Sequence, residues 1–176
     1  ETVVIPGRVL NEMSKVLGDT DEYCTLVFDQ SRMTASFGTT TLSTVLLTGE
    51  YIDYRKILPA SFRTTALADR VGVQNAIDRA SLMAREGKNN LIRMSFSGDT
   101  LAISSNAELG DVLEELETEL TGDPIEIAFN AKYITDVIRN ITDEKLCMRF
   151  NSNVSPCVIA PQEGEDYLYL ICLLYT

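Results

Sequence analysis

One supersecondary pattern occurs three times in this chain, and it limits the possible folds more than any single motif does. In its first copy, Val3-Val4-Ile5 predicts a short strand and Pro6-Gly7 opens a helix. Proline suits that place because a first-turn N–H has no helical partner to lose. Val9, Leu10, Met13, Val16 and Leu17 recur at helical spacing and form the stripe expected to be buried. Arg8, Asn11, Glu12 and Lys15 lie opposite, and Gly18-Asp19 stops the helix. Residues 24–28 and 33–37 read as strands around a turn at Asp29-Gln30-Ser31, with a third strand over 41–47.

Another copy runs from Ile125 to Ile159. Ile125 to Phe129 reads as a strand, and Asn130 is a good N-cap. Tyr133, Ile134, Val137, Ile138 and Ile141 make the apolar stripe of the helix that follows. Aligning Arg8 with Lys132 places Glu12 on Asp136 and Lys15 on Arg139, a plus-minus-plus order at i, i+4, i+7. Residues 146–150 and 154–159 then supply two strands. The remaining copy covers 66–104. Asp69 caps a helix with Val73, Ala76, Ile77, Ala80, Met83 and Ala84 inward and Arg70, Gln74, Asp78 and Arg85 outward, ended by Gly87. Strands over 91–96 and 101–104 flank a Ser97-Gly98-Asp99 turn. Residues 108–119 carry six acids and no Lys or Arg, and by analogy with the first copy they are expected to be a strand. The three copies are one unit reused.

A helix over three or four strands cannot bury both faces of its sheet alone. Copies must therefore pair, with helices side by side in one layer and strands joined in another, giving an α+β class with an antiparallel sheet. Arg8, Lys15, Arg70, Arg79, Arg85, Lys88, Lys132 and Arg139 all fall on or just beyond the helices, while the densest acidic run does not. That distribution suits a cationic helix layer facing a polyanion and an acidic sheet layer behind it. An acidic two-layer scaffold for oligomerisation, unrelated to DNA, is the alternative.

Composition removes most other chemistry. The chain has 176 residues and no histidine, which excludes Ser-His-Asp and Cys-His catalysis and His-ligated metals. No GxGxxG or GxxxxGK[ST] run is present, so no nucleotide fingerprint can be read and no cofactor is expected. A carboxylate-dependent metal enzyme built on residues 108–119 is disfavoured, since a regular acidic run is usually a solvated face. A net charge of −11 argues against a uniformly basic duplex-binding surface, but not against cations gathered on one face. Cys24, Cys147, Cys157 and Cys172 are widely spaced in apolar runs and are expected to be buried free thiols. With no 18-residue apolar run and no signal-peptide pattern, a cytoplasmic protein without membrane contact is expected. The sequence begins at Glu1 rather than Met, as a piece of a longer protein would.

Between the first two blocks lies Gly49-Glu50-Tyr51-Ile52-Asp53-Tyr54-Arg55-Lys56-Ile57-Leu58-Pro59, which reads as an extended connector. This segment resembles the G-x-[FY]-P-D-Y-x-x-[LIV]-[LIV]-P stretch between the middle and last domains of bacterial sliding clamps, the DNA polymerase III beta subunits. Arg79-Ala80-Ser81-Leu82-Met83 resembles that family's helix end. Ile127 to Tyr133 resembles its I-x-F-N-x-x-Y segment, and Val154 to Ile159 its late strand. The resemblance runs in order along nearly the whole chain.

It implies the DNA-clamp fold: a ring with helices inside and sheets outside that encircles duplex DNA without reading sequence. Residues 1–54 would be the second half of the middle domain, 55–59 the connector and 60–176 the last domain. A chain of that extent would not close a ring alone. Clamps are not enzymes. They tether polymerase to the primer end and so raise its effective concentration there. Carried over residue by residue, the DNA-facing cations would be Arg8, Lys15, Arg79, Arg85, Lys132 and Arg139. Short linear peptides from polymerase, clamp loader and repair proteins would dock in a groove formed by Ile52, Lys56, Ile57, Asn130, Tyr133, Val154, Pro156 and Leu170. Cys172, Leu173 and Leu174 of the tail would line the same groove. Leu82 and Met83 would meet the first domain of a neighbouring subunit in the homodimeric ring, and unpaired they would expose an apolar patch.

Two departures stand out. Ile52 replaces the usual Pro of the connector, which alters the groove wall. The tail Tyr169-Leu170-Ile171-Cys172-Leu173-Leu174-Tyr175-Thr176 lacks the Pro and Arg of the family's Y-x-[LIV]-x-P-[VM]-R ending. One deleted base would turn ATT TTG CCT GTT A into ATT TGC CTG TTA, so the tail reads as a frameshifted end.

Overall fold

A computed structural model describes residues 2–19, 23–85, 90–107 and 110–172. The chain divides into two compact units, Glu1–Asp53 and Tyr54–Thr176.

The larger unit repeats one arrangement twice. Strand β4 (Thr64–Asp69) feeds helix α2 (Arg70–Ala84), followed by β5 (Leu91–Ser97), β6 (Thr100–Ala107) and β7 (Gly110–Gly122). Strand β8 (Ile125–Asn130) then feeds α3 (Ala131–Ile138), followed by β9 (Lys145–Phe150), β10 (Cys157–Ile159) and β11 (Tyr169–Ile171). All pairs are antiparallel, in the order β11-β10-β9-β4-β7-β6-β5-β8. The strand ahead of each helix pairs with the first strand after the other helix: Ile92 lies opposite Phe129, and Leu146 opposite Ala68. Strand β7 pairs with β6 through residues 110–117 and with β4 through 118–122. The expected strand over the acidic run is therefore present, and it splices the two ladders.

Alternation along these strands explains the layering. Ile92, Met94 and Phe96 of β5 and Leu146, Met148 and Phe150 of β9 are fully buried, and Phe96 and Phe150 meet at 5.0 Å between ring centroids. Each such side chain contributes about 1.5–3 kcal/mol by leaving water. Along β7, Val112, Leu116 and Leu120 turn inward, while Asp111, Glu115, Glu117 and Glu119 are exposed. Helix α2 packs on β4, β5, β6 and β7, and α3 packs on α2 and on both end strands, β8 and β11. The sheet thus curls around its helices, as the pairing of copies requires.

Both helices start as the sequence predicts. The Asp69 carboxylate accepts from the Gly72 N–H at 2.5 Å, and the Asn130 amide oxygen accepts from Lys132 N–H at 2.9 Å. Gly122 has φ +101°, and a Cβ there would stand 1.9 Å from the Arg63 carbonyl oxygen. Only glycine allows β7 to end so close to β4.

The smaller unit holds α1 (Gly7–Leu17) and the sheet β1 (Thr25–Phe28), β2 (Arg32–Phe37), β3 (Thr40–Val45), in that order. Met13, Met33, Ala35 and Phe37 form its core, with Val9, Leu17, Leu42 and Leu46 packed against them.

Several expectations need correction. Val3-Val4-Ile5 is not a strand; the Leu47 N–H donates to Val4 O at 2.9 Å, with no ladder beyond it. The third strand ends at Val45, before the predicted Leu47. Strand β4 was not expected at all. The strand predicted over 154–159 is confined to Cys157–Ile159, because a turn closed by Ser152 and Ser155 hydroxyls at 2.8 Å precedes Pro156, which has no N–H to give. The connector is not uniformly extended: Tyr54–Lys56 form a 3-10 turn, with Ile57 N–H donating to Tyr54 O at 3.0 Å. Leu10 and Val16 of the expected α1 stripe are exposed, Met83 is only half-buried, and Ser81 is buried instead. All four cysteines are free, but only Cys147 and Cys157 are buried; Cys172 is exposed. Gly87 lies outside the described residues.

Candidate functional site

The two helices of the larger unit enclose a cleft of about 260 Å³ lined by Asp78, Ser81 and Arg85 of the α2 end and Ala131, Lys132, Thr135, Asp136 and Arg139 of α3, with Asn90 between. It exists because the two half-units set α2 and α3 side by side, so that outward positions of both helices face one space. Arg139 reaches Asp78 across it at 3.8 Å. Three cations, Arg85, Lys132 and Arg139, and two acids, Asp78 and Asp136, share the rim. Ser81, Thr135 and Asn90 were not foreseen as lining residues. A single Ser, Thr or Asn in a helix or ahead of a strand carries no signal that separates it from other polar residues there.

Of the six cations proposed to face DNA, Arg85, Lys132 and Arg139 meet here. Arg79 does not. Its guanidinium forks Glu114 on β7 with Nε–Oε1 and Nη2–Oε2 contacts of 2.7 Å each. That hydrogen-bonded fork raises the arginine's pKa and holds the Glu114 carboxyl below the usual carboxylate range. Arg79 lies on the flank of α2 that leans on β7 and is not among the residues that line the cleft. Arg8 and Lys15 are exposed on α1 of the smaller unit, where Lys15 pairs with Glu12 at 2.9 Å.

Some candidate groove residues of the larger unit lie on or beside its last strand, β11. Leu170 sits mid-strand in β11 opposite Val158, and Cys157 opposite Ile171 brings Pro156 to the start of the same ladder. Asn130 caps α3, the helix that packs against β11, and Tyr133 lies in its first turn with 53% of its surface exposed. Val154 is exposed in the turn before Pro156. Lys56 and Ile57 are exposed at the start of the unit, and Ile52 is exposed near the end of the smaller one. Cys172 is exposed, while Leu173 and Leu174 lie outside the described residues. Leu82 is 58% exposed on the last turn of α2 beside half-buried Met83.

Comparison with known proteins decides the family. The profile of the DNA polymerase III beta subunit, C-terminal domain, matches residues 55–175. The chain belongs to the DNA polymerase III beta-subunit family. The beta sliding clamp of Staphylococcus aureus (strain Mu50 / ATCC 700699) is 31% identical over 178 aligned residues, covering 100% of this chain and 47% of that protein. The DNA polymerase III beta chain of Streptococcus pneumoniae TIGR4 superposes with a TM-score of 0.87 at 30% identity, over 99% of this chain and 47% of that one. The Bacillus subtilis sliding clamp gives a TM-score of 0.85 at 31% identity, over 99% and 47%. The α+β clamp fold expected from the sequence is thus confirmed, and the unrelated-scaffold alternative is set aside. This chain spans about half the length of the relatives it matches. Among the described residues, no group of three or more Cys, Asp or Glu side chains is placed to hold a metal, and no helix is long and apolar enough to cross a membrane.

Proposed function

We propose that this chain is part of a non-catalytic processivity clamp that encircles duplex DNA without sequence preference. The smaller unit with the residues up to 54 acts as the second half of the middle domain, 55–59 as connector and 60–176 as the last domain. The observation that carries this reading is the cleft where Arg85, Lys132 and Arg139 come together from two helices, moderated by Asp78 and Asp136. Phosphate contacts of this kind position a duplex without reporting its bases, and loose ones let it slide. Arg8 and Lys15 extend the same role to α1.

Polymerase, clamp-loader and repair proteins bind through short peptides at Tyr133, Asn130, Val154, Pro156 and Leu170, with Ile52, Lys56, Ile57 and the tail residues Cys172, Leu173 and Leu174 contributing. Aliphatic walls with one tyrosine and a few polar groups fit an extended peptide with apolar anchors. Leu82 and Met83 serve the subunit contact of a homodimeric ring working in the cytoplasm.

Retention on immobilised duplex DNA as salt is varied tests the DNA contact. Retention should be weak, equal on two unrelated sequences and lost as salt rises. The combined variant Arg85→Ala, Lys132→Ala, Arg139→Ala should elute earlier. Sequence-dependent retention, or retention unchanged in that variant, would contradict the proposal.

A further inference from the structure

Two consecutive residues of α2 take part in ion pairs of opposite character. Arg79 is locked, with both arms of its guanidinium donating to Glu114 at 2.7 Å. Asp78 meets Arg139 of α3 across the cleft at 3.8 Å, a separation at which the charges attract but no hydrogen bond forms. Both side chains of that second pair stay largely in water, Asp78 44% exposed and Arg139 58%. A pair so placed is weak and readily exchanged for another partner.

Which acid Arg139 takes is informative. Lys15, its counterpart on α1, pairs within its own helix with Glu12, three residues back, at 2.9 Å. Asp136 stands in the same sequence relation to Arg139. Among the described residues, the ion pair of Arg139 is nevertheless with Asp78 on the other helix. The guanidinium is thus drawn across the cleft rather than along α3, with none of its N–H donors spent on that carboxylate. A phosphate entering beside Lys132 and Arg85 would meet a guanidinium already in place and able to take it with two parallel N–H···O bonds.

We propose that Asp78 is a positioning residue that limits how tightly the cleft holds a DNA phosphate. It keeps Arg139 across the cleft between contacts and reclaims it when the phosphate leaves, so each contact is a trade of one anion for another. This role rests on the DNA contact proposed above and adds the group that keeps that contact short-lived. Arg79 could not serve in the same way, because a phosphate would have to break two hydrogen bonds to win it.

Fluorescence anisotropy of a labelled duplex, titrated with the 176-residue chain at several salt concentrations, tests the role of Asp78. Asp78→Asn removes the charge and keeps the size, and it should bind roughly two- to fivefold more tightly at low salt. The slope of log affinity against log salt should steepen by about one, because one more cation is free to displace counterions. Arg139→Ala should weaken binding, and adding Asp78→Asn to it should recover well under half of the gain, since the acid acts through that arginine. An equal gain in both backgrounds would make Asp78 an ordinary like charge and overturn the proposal, as would no gain in either. Failure of the DNA reading itself looks different: the combined variant Arg85→Ala, Lys132→Ala, Arg139→Ala would then bind like the parent. NMR on the unaltered chain gives a second readout should Asp78→Asn unfold the unit. The Arg139 Nε and Asp78 carboxyl-carbon signals should move together as duplex is added, and an Asp78 signal that stays still while Arg139 responds would also overturn the proposal.

Discussion

Arg79 and Glu114 tie helix to sheet: two parallel 2.7 Å hydrogen bonds join the guanidinium of α2 to a carboxylate of β7, the strand that splices the two ladders. The fork stabilises the charged carboxylate, so the folded-state pKa of Glu114 lies below its unfolded value. Its contribution to stability is present above the ordinary carboxylate range and is lost as pH falls through the depressed folded value. Arg79→Ala should therefore lower the melting temperature modestly at neutral pH. The gap from the parent should narrow in acid, when thermal melts are compared at both pH values. Retention on duplex DNA should hardly change, in contrast to Lys132→Ala.

Gly122→Ala should be among the most damaging small substitutions. The added Cβ would meet the Arg63 carbonyl at 1.9 Å at a φ of +101°, so β7 could not end against β4 without backbone movement. A loss on the order of 3 kcal/mol is expected from strain and lost pairing. Gly98→Ala, with nothing within 4 Å of its Cβ, should cost less in the same denaturant titration although it also has positive φ.

Tyr167 pins the end of the chain to the loop after α3, its hydroxyl donating to Asp143 Oδ2 at 2.6 Å. Burial and the neighbouring carboxylate push the phenol pKa up, so it stays protonated in the folded protein beyond its ordinary range. The associated stability is complete below that range and falls as pH climbs through it. Tyr167→Phe should cost about 1.5–3 kcal/mol near neutral pH, the worth of a hydrogen bond to a charged group. Urea titrations should show the deficit shrinking in strong alkali.

Tyr133 is exposed on the helix packed against β11, so a role in folding would not require its ring. Tyr133→Ala should leave the melting temperature nearly unchanged. Fluorescence anisotropy should show it weakening a labelled clamp-binding peptide by roughly tenfold or more, as loss of an aromatic anchor does. Equal affinity in variant and parent would remove Tyr133 from the groove.

How much of this was legible in the sequence depends on what each signal measures. Helix starts at Asp69 and Asn130 could be read because a cap is a local hydrogen bond. The strand over the acidic run could be read only by analogy with another copy, since Val112, Leu113, Leu116 and Leu120 satisfy both periods. Strand β4 escaped notice because Thr64 to Asp69 is short and small-sided, and its pairing with β7 and β9 is entirely long-range. The side of α2 that Arg79 takes is hard to read for a similar reason. Its position borders the apolar stripe, and only the placement of Glu114 on the neighbouring strand turns it away from the cleft. Exposure of Leu10, Leu26 and Phe28 could not be foreseen either, because periodicity reports which residues share a face and not whether that face is covered.

The central claim is that α2 and α3 present Arg85, Lys132 and Arg139 to DNA while the acidic face of β7 points away. Mapping amide chemical-shift changes as duplex DNA is added tests it most directly. Small, fast-exchanging shifts should appear along the cleft side of α2 and α3, fade with salt and leave Glu115, Glu117 and Glu119 unmoved. Shifts centred on the outer sheet face, or none on either helix at low salt, would contradict the account.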